Sequence, residues 1–228
     1  MNKEIIDKTI AALRHNHFEA FFAHNTAEAS AIFFRDIFPG LQVETVSWGD
    51  SETMKATGVL NELQKNPELS VIDSFAPGMS RKQKIYWRRQ AVPYHRQGAQ
   101  PQKVHFQQAQ PLQRAHGILG GNHIVVGLQG HIVGNRVGGI TFGPKHVVLF
   151  IGINKITANL EEAMHRVRTI AAPRNAIRHE GFRTPCHKTG VCMDCNSPDR
   201  ICNVWTITEK SYPAGRIKVI LIGEELGL

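Results

Sequence analysis

Acidic side chains are missing from the middle of this chain. No Asp or Glu occurs from Ser74 through Leu160, while both flanks carry both signs, so the formal charge of +8 is very unevenly placed. A basic block of this kind suits nucleic acid, a membrane surface or an anionic substrate, and an unusual insert can look the same. Long apolar runs are also absent, and none reaches the length of a membrane span. The opening Met1-Asn2-Lys3-Glu4 lacks the basic start, apolar middle and small-residue cleavage site of a signal peptide, so the expected location is cytoplasmic. Cysteine is scarce: there are four, all between Cys186 and Cys202. A secreted chain would spread its cysteines to staple distant segments. Aromatic residues make up 7% and interleave poorly with the basic ones, which leaves few platforms for stacking nucleic-acid bases. No Ser-His-Asp arrangement, P-loop, paired-carboxylate signature or H-E-x-x-H appears.

What is present suits one α/β domain. The chain has 228 residues and a hydrophobic share of 42%, enough for a buried core. Ile5, Ile6, Thr9, Ile10 and Leu13 recur at helical spacing and predict a helix over 2–15. Phe18 to Ala23 reads as a short buried strand. Asn25 caps the next helix with Glu28 three residues on, as in a capping box, and Pro39-Gly40 ends it. Val43 to Trp48 is a second strand, and Gly49-Asp50-Ser51 starts a helix ending near Leu63. Leu69 to Ile72 is a third strand. Ser80 caps a basic helix through Arg89. The run His146 to Ile151 is continuously apolar after its first residue, as in a sheet covered on both faces. Asn159 caps a helix over 160–170, and Val204 to Ile207 and Arg216 to Ile222 are the last strands. Alternation of this kind implies an α/β fold with a mostly parallel sheet and helices on both faces.

Ligands in such sheets sit at the carboxyl ends of the strands. The candidate site loops are Gly49 to Thr53, with Ser51 and Thr53; Gly134 to Val137, with Gly134, Asn135 and Arg136; and Gly152 to Lys155, with Asn154 and Lys155. Gly134-Asn135-Arg136 offers backbone N–H groups and a guanidinium to a small carboxylate or phosphate; a plain tight turn has the same composition. Glu224 and Glu225 are carboxylates that would serve as a base only if they reached the cleft.

From Val92 to about Val133 the pattern breaks down, with hydrophobic periodicity absent until His123 to Leu128. Eight glutamines between Gln90 and Gln113 are interleaved with His, Pro, Arg and Gly. A basic arm, a disordered insert and a frame-slipped segment all fit, and the composition favours the last two.

The cysteines follow a C-x5-C-x2-C-x6-C spacing, Cys186, Cys192, Cys195 and Cys202. The C-x2-C pair can place two thiolates on one centre, and the outer two complete a four-sulfur set. Zinc and a 4Fe–4S cluster both take four thiolates. A structural zinc site more often shows two C-x2-C pairs, so the spacing leans to iron–sulfur. Buried thiols or a disulfide pair are the plain alternative, and a redox pair at Cys192 and Cys195 is a further one. His187 lies in the same loop but is treated as solvated.

Several segments together resemble the LUD-domain family, the lactate-utilization group once catalogued as a domain of unknown function. They are Trp48-Gly49-Asp50-Ser51-Glu52-Thr53, Gly134-Asn135-Arg136-Val137, Phe142-Gly143-Pro144-Lys145, Ile151-Gly152-Ile153-Asn154-Lys155, Ala171-Ala172-Pro173, Lys188-Thr189-Gly190, Cys192 to Asn203, and Gly223-Glu224-Glu225-Leu226-Gly227. The likeness to the short, cysteine-bearing subgroup is specific from Gly134 onward and looser from Met1 to Arg89. It implies a three-layer α/β/α sandwich similar to the sugar-phosphate isomerase and CoA-transferase superfamily. It also implies a role in oxidising L-lactate to pyruvate, beside other lactate-utilization subunits and an iron–sulfur centre. It supplies no catalytic residue. Between the basic helix and Gly134 the family has a strand, an Asn turn and an acidic hairpin, none of which Val92 to Val133 displays. A sugar-phosphate or CoA-thioester enzyme is the second functional reading. A basic nucleic-acid-binding module with structural zinc is the third.

Overall fold

The structure, a computed structural model, describes residues 3–73, 75–76, 78–80, 82–83, 103–106, 116–119, 125–129 and 144–228; for 103–106, 116–119, 125–129 and Val204 it describes the backbone. Helix α1 (Lys3–His15) buries Thr9, Ile10, Ala12 and Leu13 along one side, as its spacing predicts. Strand β1 (Glu19–Ala23) follows. Asn25 then caps α2 (Thr26–Ile32), its side chain accepting from the Glu28 N–H at 2.9 Å. The Glu28 carboxylate closes the box one residue earlier than expected, accepting from the His24 N–H at 2.7 Å.

The helix does not stop at Pro39-Gly40. It passes through a π-helical segment (Phe33–Ile37) into α3 (Phe38–Leu41). The N–H of Phe38 reaches back to the carbonyl of Phe33, and Pro39 stands at the start of the next turn, where its missing donor is not needed. The same device recurs after α6 (Leu160–Arg166): a π segment (Val167–Ala171) precedes Pro173 in α7 (Ala172–Ile177). The helix expected from Ser51 to Leu63 is likewise two helices, α4 (Glu52–Ala56) and α5 (Val59–Lys65). Gly58 lies between them at φ +73°, a left-handed conformation that glycine adopts without strain. Ser80 and Gln83 form a reciprocal capping box, and the rest of the basic helix lies outside the described residues.

Six strands form one parallel sheet. Its order is β1, β10 (Ile217–Ile222), β7 (His146–Gly152), β4 (Lys103–Phe106), β2 (Thr45–Trp48), β3 (Ser70–Ile72). Alternate residues of the central strands feed two cores. Val148, Phe150, Ile220 and Ile222 face one, packed against α2 to α5; Val147, Leu149, Val219 and Leu221 face the other, with Ile10 and Leu13 of α1. Helices on both faces of a parallel sheet make the layered α/β fold that the sequence predicts.

The irregular stretch is where expectation and structure part. Within it, β4 is a strand of the main sheet, seated between β2 and β7. β5 (His116–Leu119) and β6 (Val125–Gln129) belong to a second sheet of order β8, β5, β6, β9, with β8 (Ile156–Thr157) and β9 (Val204–Thr208). Strands of four residues in a Gln- and His-rich context, as β4 and β5 are, are too short to display a period.

Candidate functional site

The chain leaves β2 for β3 on one side and β4 for β7 on the other, so adjacent strands diverge at their carboxyl ends. This is the switch point where open parallel sheets bind ligands. Two of the three expected site loops lie there. Ser51 is fully buried and caps α4, accepting from the Met54 N–H at 2.8 Å; Thr53 is fully buried in the first turn of the same helix. Neither hydroxyl is therefore presented at an open surface. Asp50, beside them, holds φ +56°, a left-handed conformation that Asp tolerates better than most residues. Arg178 donates to Asp50 Oδ2, to Glu52 Oε1 at 2.7 Å and to Asn175 Oδ1 at 2.9 Å, tying the loop after β2 to the end of α7. Lys55 adds an ion pair to Glu52 at 3.0 Å and lies 5.2 Å over the Trp48 ring.

After β7 the chain turns tightly under the segment that follows β10. A Cβ on Gly152 would stand 2.6 Å from Asn154 Oδ1 and 2.8 Å from the Leu226 nitrogen, so only glycine fits. Asn154 Oδ1 accepts from the Leu226 N–H at 3.3 Å, and Lys155 Nζ donates to the Leu226 carbonyl at 2.7 Å. The Lys155 side chain is fully buried. Burial, and then the charges of Arg166 and Arg174, lower its pKa to about 6, with Glu225 opposing. Arg166 is lowered to about 10 by burial and by Arg174. Glu224 is used structurally: its carboxylate accepts from the Thr26 N–H at 3.0 Å, at the start of α2. Gly134, Asn135 and Arg136 lie outside the described residues.

Asn154 and Lys155, two of the expected site residues, bind the backbone of Leu226, and Arg166 and Arg174, which the sequence did not single out, lie near enough to Lys155 to lower its pKa. Arg178, also not singled out, joins Asn175 to Asp50 and Glu52. Arg174 and Asn175 directly follow the Ala171-Ala172-Pro173 segment, which was the available signal.

The second site is the cysteine loop. Helix α8 (Pro185–Thr189) carries Cys186, and Gly190 at φ +73° closes it, donating to the Cys186 carbonyl at 2.9 Å. Asp194, between Cys192 and Cys195, is left-handed at φ +46°. Its carboxylate accepts from Arg200 at 2.8 Å and Arg168 at 3.0 Å, which hold it below the usual carboxylate range. Arg200 also donates to the carbonyls of Cys195 and Cys202. Burial works against its charge, but Asp194, Cys202 and Cys195 outweigh that and its pKa is raised. All four cysteines are half-buried, none forms a disulfide, and all line one small cavity with Pro173, Thr184 and Arg200. Among the described residues, no three His, Cys, Asp or Glu side chains are gathered tightly enough to grip a single ion. A wider apolar groove of Leu160, Met164, Val191, Met193 and Trp205 meets this cavity at Cys192.

Comparison with known proteins gives two matches. The family profile described as the LUD domain matches residues 6–95 and 130–222, with the break falling on the irregular stretch. The crystal structure of a DUF162 family protein from Deinococcus radiodurans aligns with a TM-score of 0.51 over 96% of each chain, at 9% identity. At that identity the likeness establishes the fold. No curated protein matches the chain.

Proposed function

Since the chain belongs to the LUD-domain family, which is linked to lactate utilization, we propose that it is a component of L-lactate oxidation to pyruvate and that Cys186, Cys192, Cys195 and Cys202 hold a 4Fe–4S cluster. The observation that carries this reading is the convergence of all four cysteines on one cavity, without a disulfide. The donor set fits the group: four thiols, with Arg200 beside them to offset thiolate charge. The single C-x2-C pair, where a structural zinc site more often has two, favours a cluster over a zinc ion. When bound, such a cluster relays single electrons. This chain's own residues would set its environment: Arg200 anchors the backbone of Cys195 and Cys202.

Small carboxylates and other lactate-utilization subunits are the partners this role requires. Among the described residues no helix is long and apolar enough to cross a membrane.

Anaerobic purification, a visible absorption spectrum and assays of iron, sulfide and zinc test the reading. Broad visible absorption with iron and sulfide in equal amounts is expected. It should vanish in a Cys192→Ser, Cys195→Ser double variant. One zinc per chain, or no metal at all, overturns the cluster.

A further inference from the structure

At the carboxyl end of β7 the structure gathers hydrogen-bond donors without acceptors. Lys155, fully buried, has three ammonium hydrogens and one partner, the Leu226 carbonyl. Arg166 Nη2 donates to the Leu228 carbonyl at 3.0 Å, but its Nη1 is buried with no partner. Arg174 has no hydrogen bond or ion pair among the described residues, yet lies close enough to depress the pKa of both Lys155 and Arg166. Asn175 is fully buried. Its Oδ1 accepts from Arg178, a pure donor, which fixes the amide orientation and leaves Nδ2 without an acceptor.

Buried donors in native proteins are nearly always satisfied, so Arg166 Nη1 on α6 and Asn175 Nδ2 on α7, both buried without an acceptor, point to a missing partner. Its chemistry follows from theirs. All are donors, Arg166 and Arg174 are cations, and an anion beside Lys155 would favour its ammonium form, so the complement is an anion with oxygen acceptors. No Asp or Glu side chain forms a salt bridge with Lys155, Arg166 or Arg174 among the described residues; Glu225 acts on Lys155 through its field, and Arg166 reaches an oxygen of Leu228.

We infer that Lys155, Arg166, Arg174 and Asn175 form a binding site for a small carboxylate anion, covered by residues 223–228. The identity of the anion as a 2-hydroxy or 2-oxo acid rests on the proposed role in lactate oxidation; the presence of an anion site does not. The carbonyls of Leu226 and Leu228 now accept the hydrogen bonds of Lys155 and Arg166, and the ligand's oxygens take them over. Gly227, at φ +68°, is the joint between those two carbonyls.

Calorimetric titration with pyruvate tests this, with inorganic phosphate and chloride as comparison anions. It is run on the Cys192→Ser, Cys195→Ser protein as well as on the native chain, so that loss of the cluster and loss of the anion site are told apart. Saturable pyruvate binding is expected in both proteins. Arg174→Gln removes an exposed guanidinium with no hydrogen bond or ion pair among the described residues, and should leave the circular dichroism unchanged while weakening pyruvate about tenfold or more. Glu225→Gln should tighten binding, because it removes the one opposing charge. Absence of saturable heat in the native chain, equal affinity in Arg174→Gln, or phosphate bound in preference to pyruvate overturns the assignment.

Discussion

In β10 six consecutive residues, Ile217–Ile222, are buried, whereas from Cys186 to Cys202 no residue is. The two regions hold their shape by different means. The sheet draws on apolar packing on both faces, with Phe33 and Phe150 fully buried and their ring centroids 6.0 Å apart. The cysteine segment draws on Arg200, Arg168, Arg183, Asp194 and Asp199, most of them substantially exposed. Ion pairs at a surface are screened and contribute little, so this segment has weak intrinsic support and gains most from a bound centre. The sheet needs none.

The sharpest way to break the comparison is a truncation in each region. Phe150→Ala should cost about 3–5 kcal/mol, through lost burial and the cavity left behind. Met193→Ala, at a side chain 63% exposed, should change stability by less than about 0.5 kcal/mol. Urea denaturation of the metal-free protein measures both. Comparable losses at the two positions would mean the cysteine segment carries a core of its own.

The same contrast explains what could be read from the sequence. The helices and long strands were legible because burial on one or two faces imposes a period, as with Ile10 and Leu13 or the run Val147 to Ile151. The termination signal at Pro39-Gly40 misled, because a π segment just ahead of it leaves Pro39 at the start of the next turn, where the penalty that normally ends a helix does not apply. β4 and β5 were hidden by their shortness and composition, whereas β6 falls on His123 to Leu128, where hydrophobic periodicity returns. The cysteine set stood out because four cysteines, all that the chain has, fall within one short segment, a pattern visible without any structure. The proposed anion site stood out only in part: Lys155 was an expected site residue, while Arg166 and Arg174 lie on α6 and α7, and no local spacing joins them to it.

Within the well-packed region, buried titratable groups make stability depend on pH. Lys155 has a folded pKa of about 6 against 10.5 in the open chain. Between those values the unfolded chain binds a proton that the folded one does not, so stability rises with pH, by up to about 1.4 kcal/mol per unit. His146 is lowered to about 4 from 6.5, first by burial and then by Lys218 and Lys145. Its contribution is complete above pH 6.5 and is lost as pH falls toward 4. Denaturant titrations at pH 7, 8 and 9 should show a positive slope that Lys155→Met flattens. An unchanged slope in that variant would show that the ammonium is not the group responsible.

The smallest expected difference lies between two arginines with similar partners. Arg178, with a side chain 21% exposed, binds Asp50, Glu52 and Asn175, and Asp50 is itself only 11% exposed. Replacing it with Met strands a nearly buried carboxylate that keeps only a 3.4 Å contact to Lys55. A fully buried pair broken this way loses about 3–5 kcal/mol. The remaining exposure of Arg178 and the help of Lys55 bring the expected cost down to about 2 kcal/mol. Arg183, at 77% exposure, pairs with Asp199 at 2.9 Å and should cost no more than about 0.5 kcal/mol when changed to Met. Added salt should narrow the Arg183 effect further and leave that of Arg178 nearly intact, because screening acts on exposed pairs first. If the two variants lose stability equally, the cysteine segment is held by its ion pairs as firmly as the sheet edge is, and its need for a bound centre falls away.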